Sequence, residues 1–519
     1  MKKRLVLAVA SGLLTAAAHP PVGAWPLAWV ALIPLLFSLE GARARDGFII
    51  GLVSGFVFFV ADVYWVVNSM YYYGGVPLWI SVPVMCLLAA LLACYIGFFG
   101  LFVSAASGMP QTARLVAIPA AWTSLEFLRA HVFTGFPWSL LGYTLSDRLV
   151  LVQVVDITGI WGLSFLIVMV NCAAFLVIDA FVSKGRRGRR FVPITGALVT
   201  AALVVIVVVY GMVRIAQVDN DAAAWRKLRV AATQGSIDQS KKWDAAFRAE
   251  TIDIYRELTR LAAQDGARLI VWPETAVPFF LGADKAETAA VTSAAKDAGR
   301  YILTGSPAYT YNPGTRQTRL YNSAWLIDPS GDMAGRYDKI HLVPYGEYVP
   351  MRRFLPFLTK LTAGIGDFSE GPGPLPIGFE GGGIGVLICY EAIFPEIAAA
   401  QVRNGAEILV NITNDAWFGR SSAPYQHMGM SAVRAVENRT WLVRSANTGI
   451  SAFVDPAGRI VKKTALFEKA VITADVGLRS GPQTFYTRFT DVFAYLAMAL
   501  FAGFVFALLR RKKARRPAL

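Results

Sequence analysis

Long apolar segments follow one another through the first 213 residues of the chain, and another lies close to its end. About 20 consecutive apolar residues suffice for a helix to cross a bilayer. Hydrophobic residues make up 55% of the chain and charged residues only 16%, a composition that excludes an ordinary soluble enzyme. The sequence therefore predicts a bundle of about eight transmembrane helices, with spans at Leu5–Ala18, Ala24–Leu39, Gly47–Val67, Leu78–Ser104, Leu115–Ala130, Leu151–Phe181, Val192–Val213 and Phe493–Leu509.

The basic residues indicate how these spans are oriented. The chain carries a net charge of +15, but its lysines and arginines cluster beside apolar segments, at Lys2–Arg4, Lys184–Arg190 and Arg510–Arg516. This placement is typical of the cytoplasmic loops of membrane proteins rather than of a nucleic-acid-binding surface. If the spans alternate, both termini lie in the cytoplasm. The segment between the seventh and eighth spans then lies outside the membrane, in the periplasm.

The composition changes between the seventh and eighth spans. From about Gln217, charged residues become frequent and short β-branched runs alternate with helical patterns. We predict a transmembrane region over 1–216, a periplasmic α/β domain over 217–486, and a final span with a basic tail over 487–519. The predicted strands of the domain are Leu228–Thr233, Arg268–Trp272, Tyr301–Gly305, Ser323–Ile327, Ile384–Cys389, Glu407–Ile412, Trp441–Arg444 and Ser451–Asp455. Its predicted helices are Trp243–Asp265, Ala286–Gly299, Pro395–Asn404 and Tyr425–Asn438.

A cysteine ends one of the buried strands of this domain, in the segment GVLICYEAIFPE (Gly385–Glu396). Cys86, Cys94 and Cys172 all fall in predicted spans, so Cys389 has no disulfide partner in its own domain. A lone cysteine is most often a small buried hydrophobic residue. This one lies at a predicted strand-to-helix turn, where helix N–H groups favour the thiolate. A nucleophilic role therefore competes with simple packing.

A nucleophilic thiol needs a base and a group that stabilises an oxyanion. The segment LIVWPETAVP places Glu274 just beyond a second buried strand, where apolar flanks favour a partly buried general base over an exposed turn residue. The segment GRYDKIHLVPYGEYVP adds Lys339, His341 and Glu347 among aromatic residues. Lys339 is either a surface charge or a partly buried ammonium. His341 is either a structural residue or a partner of Cys389, as in papain-like enzymes, and composition leaves both alternatives open.

Three loops of the domain combine aromatic and apolar residues in a way that suits a membrane surface. They are Pro278–Gly282, Met351–Leu361 and the segment around Trp417 and Phe418, for which we favour a membrane-facing role over one that only caps the core. The four histidines, at positions 19, 131, 341 and 427, lack the spacing of a metal site, and no phosphate- or dinucleotide-binding motif is present. We therefore expect no metal, no cofactor and no nucleic-acid partner.

Three of these segments resemble the nitrilase, or carbon–nitrogen hydrolase, superfamily: WPET (Trp272–Thr275), YDKIHLVPYGEYVP (Tyr337–Pro350) and ICYE (Ile388–Glu391). This resemblance implies a Glu–Lys–Cys triad on an αββα sandwich. The spans on both sides of the domain, with the motifs HLVPYGEYVP and NDAWFG, make the chain resemble the apolipoprotein N-acyltransferase family, a membrane-bound branch of that superfamily. The resemblance covers essentially the whole chain and is strongest from Leu228 to Pro456.

The resemblance also implies roles for individual residues. Cys389 is implied to be the nucleophile, Glu274 the general base and Lys339 the cation that stabilises the oxyanion. Glu347 is implied to support the base and the lysine. Further positions that match residues linked to activity in the family are Tyr390, Glu391, Trp243 in QSKKWD, Asn322 in LYNS and Trp417 in NDAWFG.

The implied reaction takes an acyl chain from the sn-1 ester of a phospholipid, typically phosphatidylethanolamine, onto Cys389 as a thioester. The acyl group is then transferred to the α-amine of a diacylglyceryl-cysteine apolipoprotein, and this transfer completes lipoprotein maturation. The implied partners are the phospholipid, the apolipoprotein and the bilayer of the bacterial inner membrane, and a monomer is expected. One alternative is a membrane-anchored amidase that uses water as acceptor. Another is a transporter or receptor, for which the spans offer few charged candidates, chiefly Asp62, Glu126 and Asp156.

Overall fold

The computed structural model describes residues 1–182, 191–283, 285–349, 367–380 and 382–514, which form two compact units. The first unit comprises Met1–Tyr64, Trp79–Arg214 and Phe489–Leu519. The second comprises Ile215–Arg488 together with Trp65–Leu78, a short segment that follows the third predicted span. This segment makes its contacts with the α/β domain, although in the sequence it lies between two apolar helices.

The first unit is built from helices. The main helices that precede the α/β domain, and the one that follows it, are Lys2–Ala18, Ile33–Leu39, Ala44–Asp62, Leu78–Ala105, Gln111–His131, Ile160–Val182, Phe191–Ala223 and Val492–Ala514. Within the described part of the chain, five helices are long and apolar enough to cross a membrane, at Ala44–Asp62, Leu78–Gly108, Ile160–Val182, Pro193–Ala223 and Val492–Arg511. Each of the five overlaps a predicted span, although the bounds differ by several residues in some of them.

The remaining predicted spans correspond to shorter or more polar helices. The first is the 17-residue helix Lys2–Ala18. The second, Ala24–Leu39, divides into a 3-10 turn at Trp25–Trp29 and a seven-residue helix at Ile33–Leu39. Each of these two pieces has a proline near its first residue, where proline ends any preceding helix and suits the start of the next. The helix Gln111–His131 buries several charged side chains, which lowers its hydropathy.

The acidic residues of this unit are held by internal partners. Asp62 accepts a hydrogen bond from Ser139 Oγ at 3.0 Å, and Glu126 accepts one from the backbone N–H of Leu141 at 2.8 Å. Asp156 forms a salt bridge of 2.9 Å with an arginine side chain. Buried acidic groups are retained where they are hydrogen-bonded or paired in this way. The three acids therefore act as structural contacts, which weakens the hypothesis of a transport pathway.

The second unit contains two six-stranded sheets. In chain order the strands are β1 (Lys227–Gln234), β2 (Leu269–Val271), β3 (Tyr301–Asn312), β4 (Gln317–Ile327), β5 (Met333–Asp338), β6 (Ile377–Phe379), β7 (Gly382–Ile388), β8 (Ile408–Thr413), β9 (Leu442–Ala446), β10 (Ala452–Val454), β11 (Ile460–Lys463) and β12 (Ala470–Gly477). The first sheet has the order β12-β1-β2-β3-β4-β5, and the second has the order β11-β10-β9-β8-β7-β6.

Apolar side chains of both sheets meet in one buried cluster, which includes Val230 of β1 and Val386 of β7. The next residue of β1, Ala231, points to the opposite face of its sheet and lies in a second cluster, which includes Tyr255. The alternation of side chains along a strand thus gives the first sheet two buried faces. The helices of the unit are Arg248–Gln264, Lys285–Ala298, Pro395–Arg403 and Ala423–Asn438.

The parallel strands of each sheet bring polar loops together. β1, β2 and β3 are parallel neighbours in the first sheet, as are β7, β8 and β9 in the second. Because parallel strands end at the same edge, the loops that follow them converge, and sites in α/β folds are commonly found there. Glu274 follows β2, Cys389 directly follows β7 and Asn414 directly follows β8, while Lys339 directly follows β5.

Every predicted strand overlaps an observed strand, and the sheets contain four more. β5 and β11 are short and mostly not buried, and β6 has only three residues, so their patterns are too weak to predict from sequence. β12 is apolar but was not predicted as a strand; it pairs antiparallel with β1 along the whole of its length. These strands form because a neighbouring strand supplies their hydrogen bonds.

Candidate active site

The backbone turns sharply at Cys389. This residue directly follows β7 and begins the 3-10 helix Cys389–Ile393, and its φ of +52° lies in the left-handed region. The side chain is buried. Burial and the nearby Glu274 carboxylate raise the pKa of the Cys389 thiol, against the opposing effect of Lys339. The expectation that helix N–H groups favour the thiolate is therefore wrong for the resting site: the thiol is neutral and needs a base.

The Glu274 carboxylate is held from two sides. Its Oε1 accepts a hydrogen bond from Asn322 Nδ2 at 2.8 Å, and its Oε2 accepts one from the backbone N–H of Asn414 at 2.9 Å. The side chain is buried, as the apolar flanks of its segment predict. A carboxylate fixed in this way beside a neutral thiol is suited to accept the thiol proton.

The loop that carries Glu274 packs tightly on strand β3. Gly305 N donates to the Pro273 carbonyl at 3.2 Å, and the Gly305 carbonyl accepts from Val277 N at 3.1 Å. A Cβ atom at position 305 would lie 2.4 Å from Thr275 N and 2.7 Å from Glu274 Cα. Only glycine allows this close approach of the two backbones.

Lys339 is deeply buried between two carboxylates. Its side chain is 1% exposed, and its Nζ lies 2.8 Å from Glu347 Oε2 and 3.9 Å from Glu274 Oε1. Burial alone disfavours the ammonium, but Glu347 and Glu274 outweigh it and raise the pKa of Lys339. The alternative of a surface lysine is therefore wrong, and the side chain carries a fixed positive charge.

Asn322 and Glu347 link the base to the lysine. Asn322 Nδ2 donates to Glu347 Oε1 at 2.8 Å as well as to Glu274. Glu347 Oε2 also accepts the backbone N–H of Val343 at 2.7 Å. One amide group thus joins the two carboxylates that flank the ammonium, and fixes their separation.

Glu391 connects the turn after Cys389 to the segment after Lys339. Its Oε2 accepts Ile388 N at 2.7 Å, and its Oε1 accepts Ile340 N at 2.7 Å and the Tyr337 hydroxyl at 3.0 Å. The residue is completely buried, and burial raises the pKa of Glu391 to about 7. Its contacts are with backbone and structural side chains, so it holds the site together.

His341 packs against aromatic rings. Its ring packs on Phe394, with 3.7 Å between ring centroids, and lies 5.9 Å from the ring of Tyr390. The main effects on the pKa of the Cys389 thiol come from burial, Glu274, Lys339 and Asp415, and not from a histidine. The papain-like alternative is therefore not supported, and Tyr390 belongs to an aromatic cluster beside the turn.

The loop that contains Trp417 contacts the segment Trp65–Leu78 of the same unit. Ser69 Oγ donates to the Trp417 carbonyl at 2.8 Å, and the rings of Tyr73 and Trp417 are 5.6 Å apart. Trp417 is partly buried there, and Trp243 is also partly buried, at the start of the segment that leads to the helix Arg248–Gln264.

The loops that the sequence places at a membrane surface have different surroundings where the structure describes them. In Pro278–Gly282, Phe279 and Leu281 are buried in the core of the unit, so this loop caps the core. The segment Met351–Leu361, with Arg352, Arg353 and Lys360, lies outside the described residues.

Lys242 is a site residue that the sequence did not reveal. Its side chain is buried, and its Nζ donates to the Glu274 carbonyl at 3.0 Å. Burial lowers the pKa of Lys242 from 10.5 to about 8, although Glu274 and Cys389 favour its charged form. The adjacent Lys241 is exposed, and the sequence alone does not show which of these two consecutive lysines is buried. Among the residues that the structure describes, no group of His, Cys, Asp or Glu is arranged to hold a metal ion.

Two family models match the chain. A carbon–nitrogen hydrolase model matches residues 229–484, and an apolipoprotein N-acyltransferase N-terminal domain model matches residues 11–173. Apolipoprotein N-acyltransferase from Geobacter metallireducens is 42% identical over 99% of this chain and 96% of its own length. The protein of the same name from Rhodopseudomonas palustris is 33% identical over 96% of this chain and 94% of its own. Among solved structures, Nit3 of Saccharomyces cerevisiae aligns with a TM-score of 0.38 and 19% identity, over 53% of this chain and 94% of its own.

Proposed function

Since the chain belongs to the apolipoprotein N-acyltransferase family, we propose that this protein removes an acyl group from the sn-1 ester of a phospholipid, typically phosphatidylethanolamine. The acceptor is the N-terminal amine of a diacylglyceryl-cysteine apolipoprotein. The enzyme is an acyltransferase of lipoprotein biosynthesis, and the proposal adds the donor, the covalent intermediate and the residues that carry the reaction.

The observation that carries the proposal is the arrangement around the Cys389 thiol. Burial keeps this thiol protonated, and the Glu274 carboxylate beside it is oriented by Asn322 and Asn414. Lys339 supplies a permanent positive charge 3.9 Å from Glu274. A neutral thiol, a fixed base and a buried cation are the three groups that acyl transfer through a thioester requires.

In the first half-reaction Glu274 accepts the thiol proton and Cys389 Sγ forms a bond to the ester carbonyl carbon. The carbonyl electron pair moves to oxygen, and the Lys339 ammonium stabilises the resulting oxyanion. When the intermediate collapses, the C–O bond to glycerol breaks. The proton held by Glu274 passes to the leaving alkoxide, which departs as lysophospholipid, and the acyl chain remains on Cys389 as a thioester.

In the second half-reaction the acceptor amine attacks the thioester. Glu274 takes a proton from the attacking nitrogen, the oxyanion forms again beside Lys339, and the C–S bond breaks. The proton returns to the Cys389 thiolate as the amide is released. Glu347 and Asn322 hold the lysine and the base at a constant separation through both halves, while Glu391, Tyr390, Trp243 and Trp417 shape the surrounding site.

The experiment is intact-mass measurement of the purified protein after incubation with phosphatidylethanolamine. We expect an increase of one acyl chain, which hydroxylamine removes because it cleaves thioesters. Cys389→Ala is expected to show no increase, whereas Cys86→Ala, a cysteine in a helix of the first unit, is the matched control and should acylate normally. An acyl adduct that persists in Cys389→Ala protein would refute the mechanism.

The same samples test the amidase alternative. A hydrolase that uses water would release free acid without an apolipoprotein acceptor. We expect instead that the acyl-enzyme is stable until a diacylglyceryl-cysteine peptide is added, and that the acyl chain then appears on the peptide nitrogen.

The proposed architecture is a bundle of eight spans joined to an αββα sandwich, in the inner membrane and as a monomer. The five long apolar helices and the shared cluster between the two sheets support it. The α/β domain lies in the periplasm and both termini lie in the cytoplasm, because the basic segments cluster at the ends of alternate spans. Alkaline phosphatase fusions after residue 216 and at the C-terminus test this orientation, and only the first should be active.

A further inference from the structure

A buried histidine lies behind the turn that carries the thiol. His427, in the helix Ala423–Asn438, is completely buried, and its Nε2 lies 3.1 Å from the Cys389 carbonyl oxygen. A carbonyl oxygen only accepts hydrogen bonds, so the proton of the ring must be on Nε2. His427 therefore donates to the peptide group that joins Cys389 to Tyr390.

The rest of the ring is held by charged partners. His427 Nδ1 lies 3.0 Å from Arg444 Nη2 and 3.1 Å from Asp415 Oδ1, and Arg444 Nη2 donates to Asp415 Oδ2 at 2.7 Å. Burial and the Arg444 charge lower the pKa of His427, so the ring is neutral and Nδ1 accepts from Arg444. Arg444, which is itself held by Asp415, thus favours the tautomer that has its hydrogen on Nε2.

The direction of one peptide group determines where its hydrogen points. A trans peptide is planar, and its C=O and N–H point in opposite directions. The Cys389 carbonyl is held by His427 and is also 3.5 Å from Asn411 Nδ2, so the N–H of Tyr390 is directed away from both. The left-handed φ of Cys389 needs such support, because the surroundings must maintain an unfavourable backbone conformation.

At a strand-to-helix turn, the backbone N–H of the residue after the nucleophile is well placed to bind the oxyanion. In the acylation step the electron pair of the ester carbonyl moves to oxygen as Sγ bonds to carbon. Lys339 supplies one partner for that oxygen. A second donor in a fixed direction would stabilise the intermediate further, without reorganisation during the reaction.

We propose that His427, held by Asp415 and Arg444, is a positioning residue that orients the Cys389–Tyr390 peptide so that the Tyr390 N–H donates to the oxyanion. This inference rests on the proposed thioester route. It assigns a role to a histidine through its contact with the backbone carbonyl of Cys389.

The test compares two reactions of the same thiol. Acylation by phospholipid passes through an oxyanion, whereas alkylation by iodoacetamide is a direct displacement at carbon that forms none. Both rates are measured for Cys389 by peptide mass after digestion, so that alkylation of the other cysteines does not interfere. The variants are His427→Asn, whose amide is too short to reach the Cys389 carbonyl, and His427→Gln, whose amide nitrogen reaches about as far as Nε2.

We expect His427→Asn to acylate about 100-fold more slowly than the parent protein, as when one oxyanion donor is lost, and to alkylate at a rate within about twofold of the parent. His427→Gln should recover most of the acylation rate. The matched control is Gln401→Leu, because Gln401 Nε2 donates to the carbonyl of Val386 on the same strand, at 3.0 Å, but does not contact the Cys389–Tyr390 peptide. Both of its rates should stay close to the parent values.

Two results would overturn the role of His427 and leave the thioester route intact. One is an equal loss of acylation and alkylation rates in His427→Asn, and the other is an acylation rate in His427→Asn that does not change. If His427→Asn does not fold, a folded His427→Gln protein that acylates about 100-fold more slowly than the parent would also overturn the role of His427. A parent protein that alkylates at Cys389 but forms no acyl-enzyme would instead refute the thioester route, and this proposal with it.

Discussion

Replacement of Gly305 by alanine should move Glu274, the proposed base, without changing its side chain. The added Cβ would lie 2.4 Å from Thr275 N and 2.7 Å from Glu274 Cα, and both of these are backbone atoms that cannot rotate away. An ordinary contact needs about 3.4 Å, so the loop and strand β3 must separate by about 1 Å.

A displacement of this size breaks the contacts that orient the base. The Glu274 carboxylate accepts hydrogen bonds of 2.8 Å from Asn322 and 2.9 Å from Asn414, and an extra 1 Å takes both beyond hydrogen-bond range. Misplacement of a catalytic group by about 1 Å can cost about 100-fold in rate. The added methyl group should destabilise the fold by about 1–3 kcal/mol, as overpacking does.

The assay is the rate of acyl-enzyme formation, followed by intact mass, with the melting temperature measured on the same samples. Gly378→Ala is the matched control, because Gly378 lies in strand β6 and an added Cβ there has no atom within 4 Å. We expect Gly305→Ala to lose about 100-fold in rate and Gly378→Ala to acylate like the parent protein. Equal rates for the two variants would show that the position of Glu274 does not limit the reaction.

Three further changes test other contacts of the site. Asn322→Asp replaces the amide that joins Glu274 and Glu347 by a third acid, and should slow acyl-enzyme formation at least about 100-fold in the intact-mass assay; an unchanged rate would contradict the bridging role. Glu391→Ala leaves one buried and two partly buried backbone N–H groups without their acceptor and should lower the free energy of unfolding by about 3 kcal/mol, measured by denaturant unfolding in detergent. Because the pKa of Lys242 falls from 10.5 to about 8 on folding, the unfolded chain binds more protons between these pH values, and stability should rise with pH across this window by about 3 kcal/mol. Lys242→Met should abolish that rise in a series of melting temperatures from pH 7 to 10.5, and a rise of the same size in the variant would show that another group causes it.

Much of the fold follows from local patterns. The apolar segments predict the long helices, because a helix that crosses a bilayer needs little more than length and hydropathy. The alternating patterns predict eight of the twelve strands. The predicted span Leu151–Phe181 shows where this reasoning fails: Gly159, with a φ of +60°, interrupts it, and the long helix begins only at Ile160. A glycine within an apolar run is compatible with either a continuous or an interrupted helix until neighbouring elements pack on it.

Some residues of the candidate site are recognisable in the sequence, whereas others are identified only in the structure. Cys389, Glu274 and Lys339 are recognisable in the sequence because each lies in a distinctive segment beside a predicted strand or an aromatic cluster. The sequence does not reveal which partner each group has. Burial turns Lys242 into a site residue while its neighbour Lys241 remains exposed, and the contact between His427 and the Cys389 carbonyl joins positions that are 38 residues apart.

The sequence by itself thus determined the long apolar helices, the α/β character of the second unit and the types of residue at the candidate site, because hydropathy, periodicity and short motifs are local properties. Only the tertiary structure decided the protonation state of the thiol, the pairing of Lys339 with Glu347, the orientation of Glu274 and the contacts of His427. These depend on burial and on distances of about 3 Å between segments that are far apart in the chain, and no local pattern records such distances.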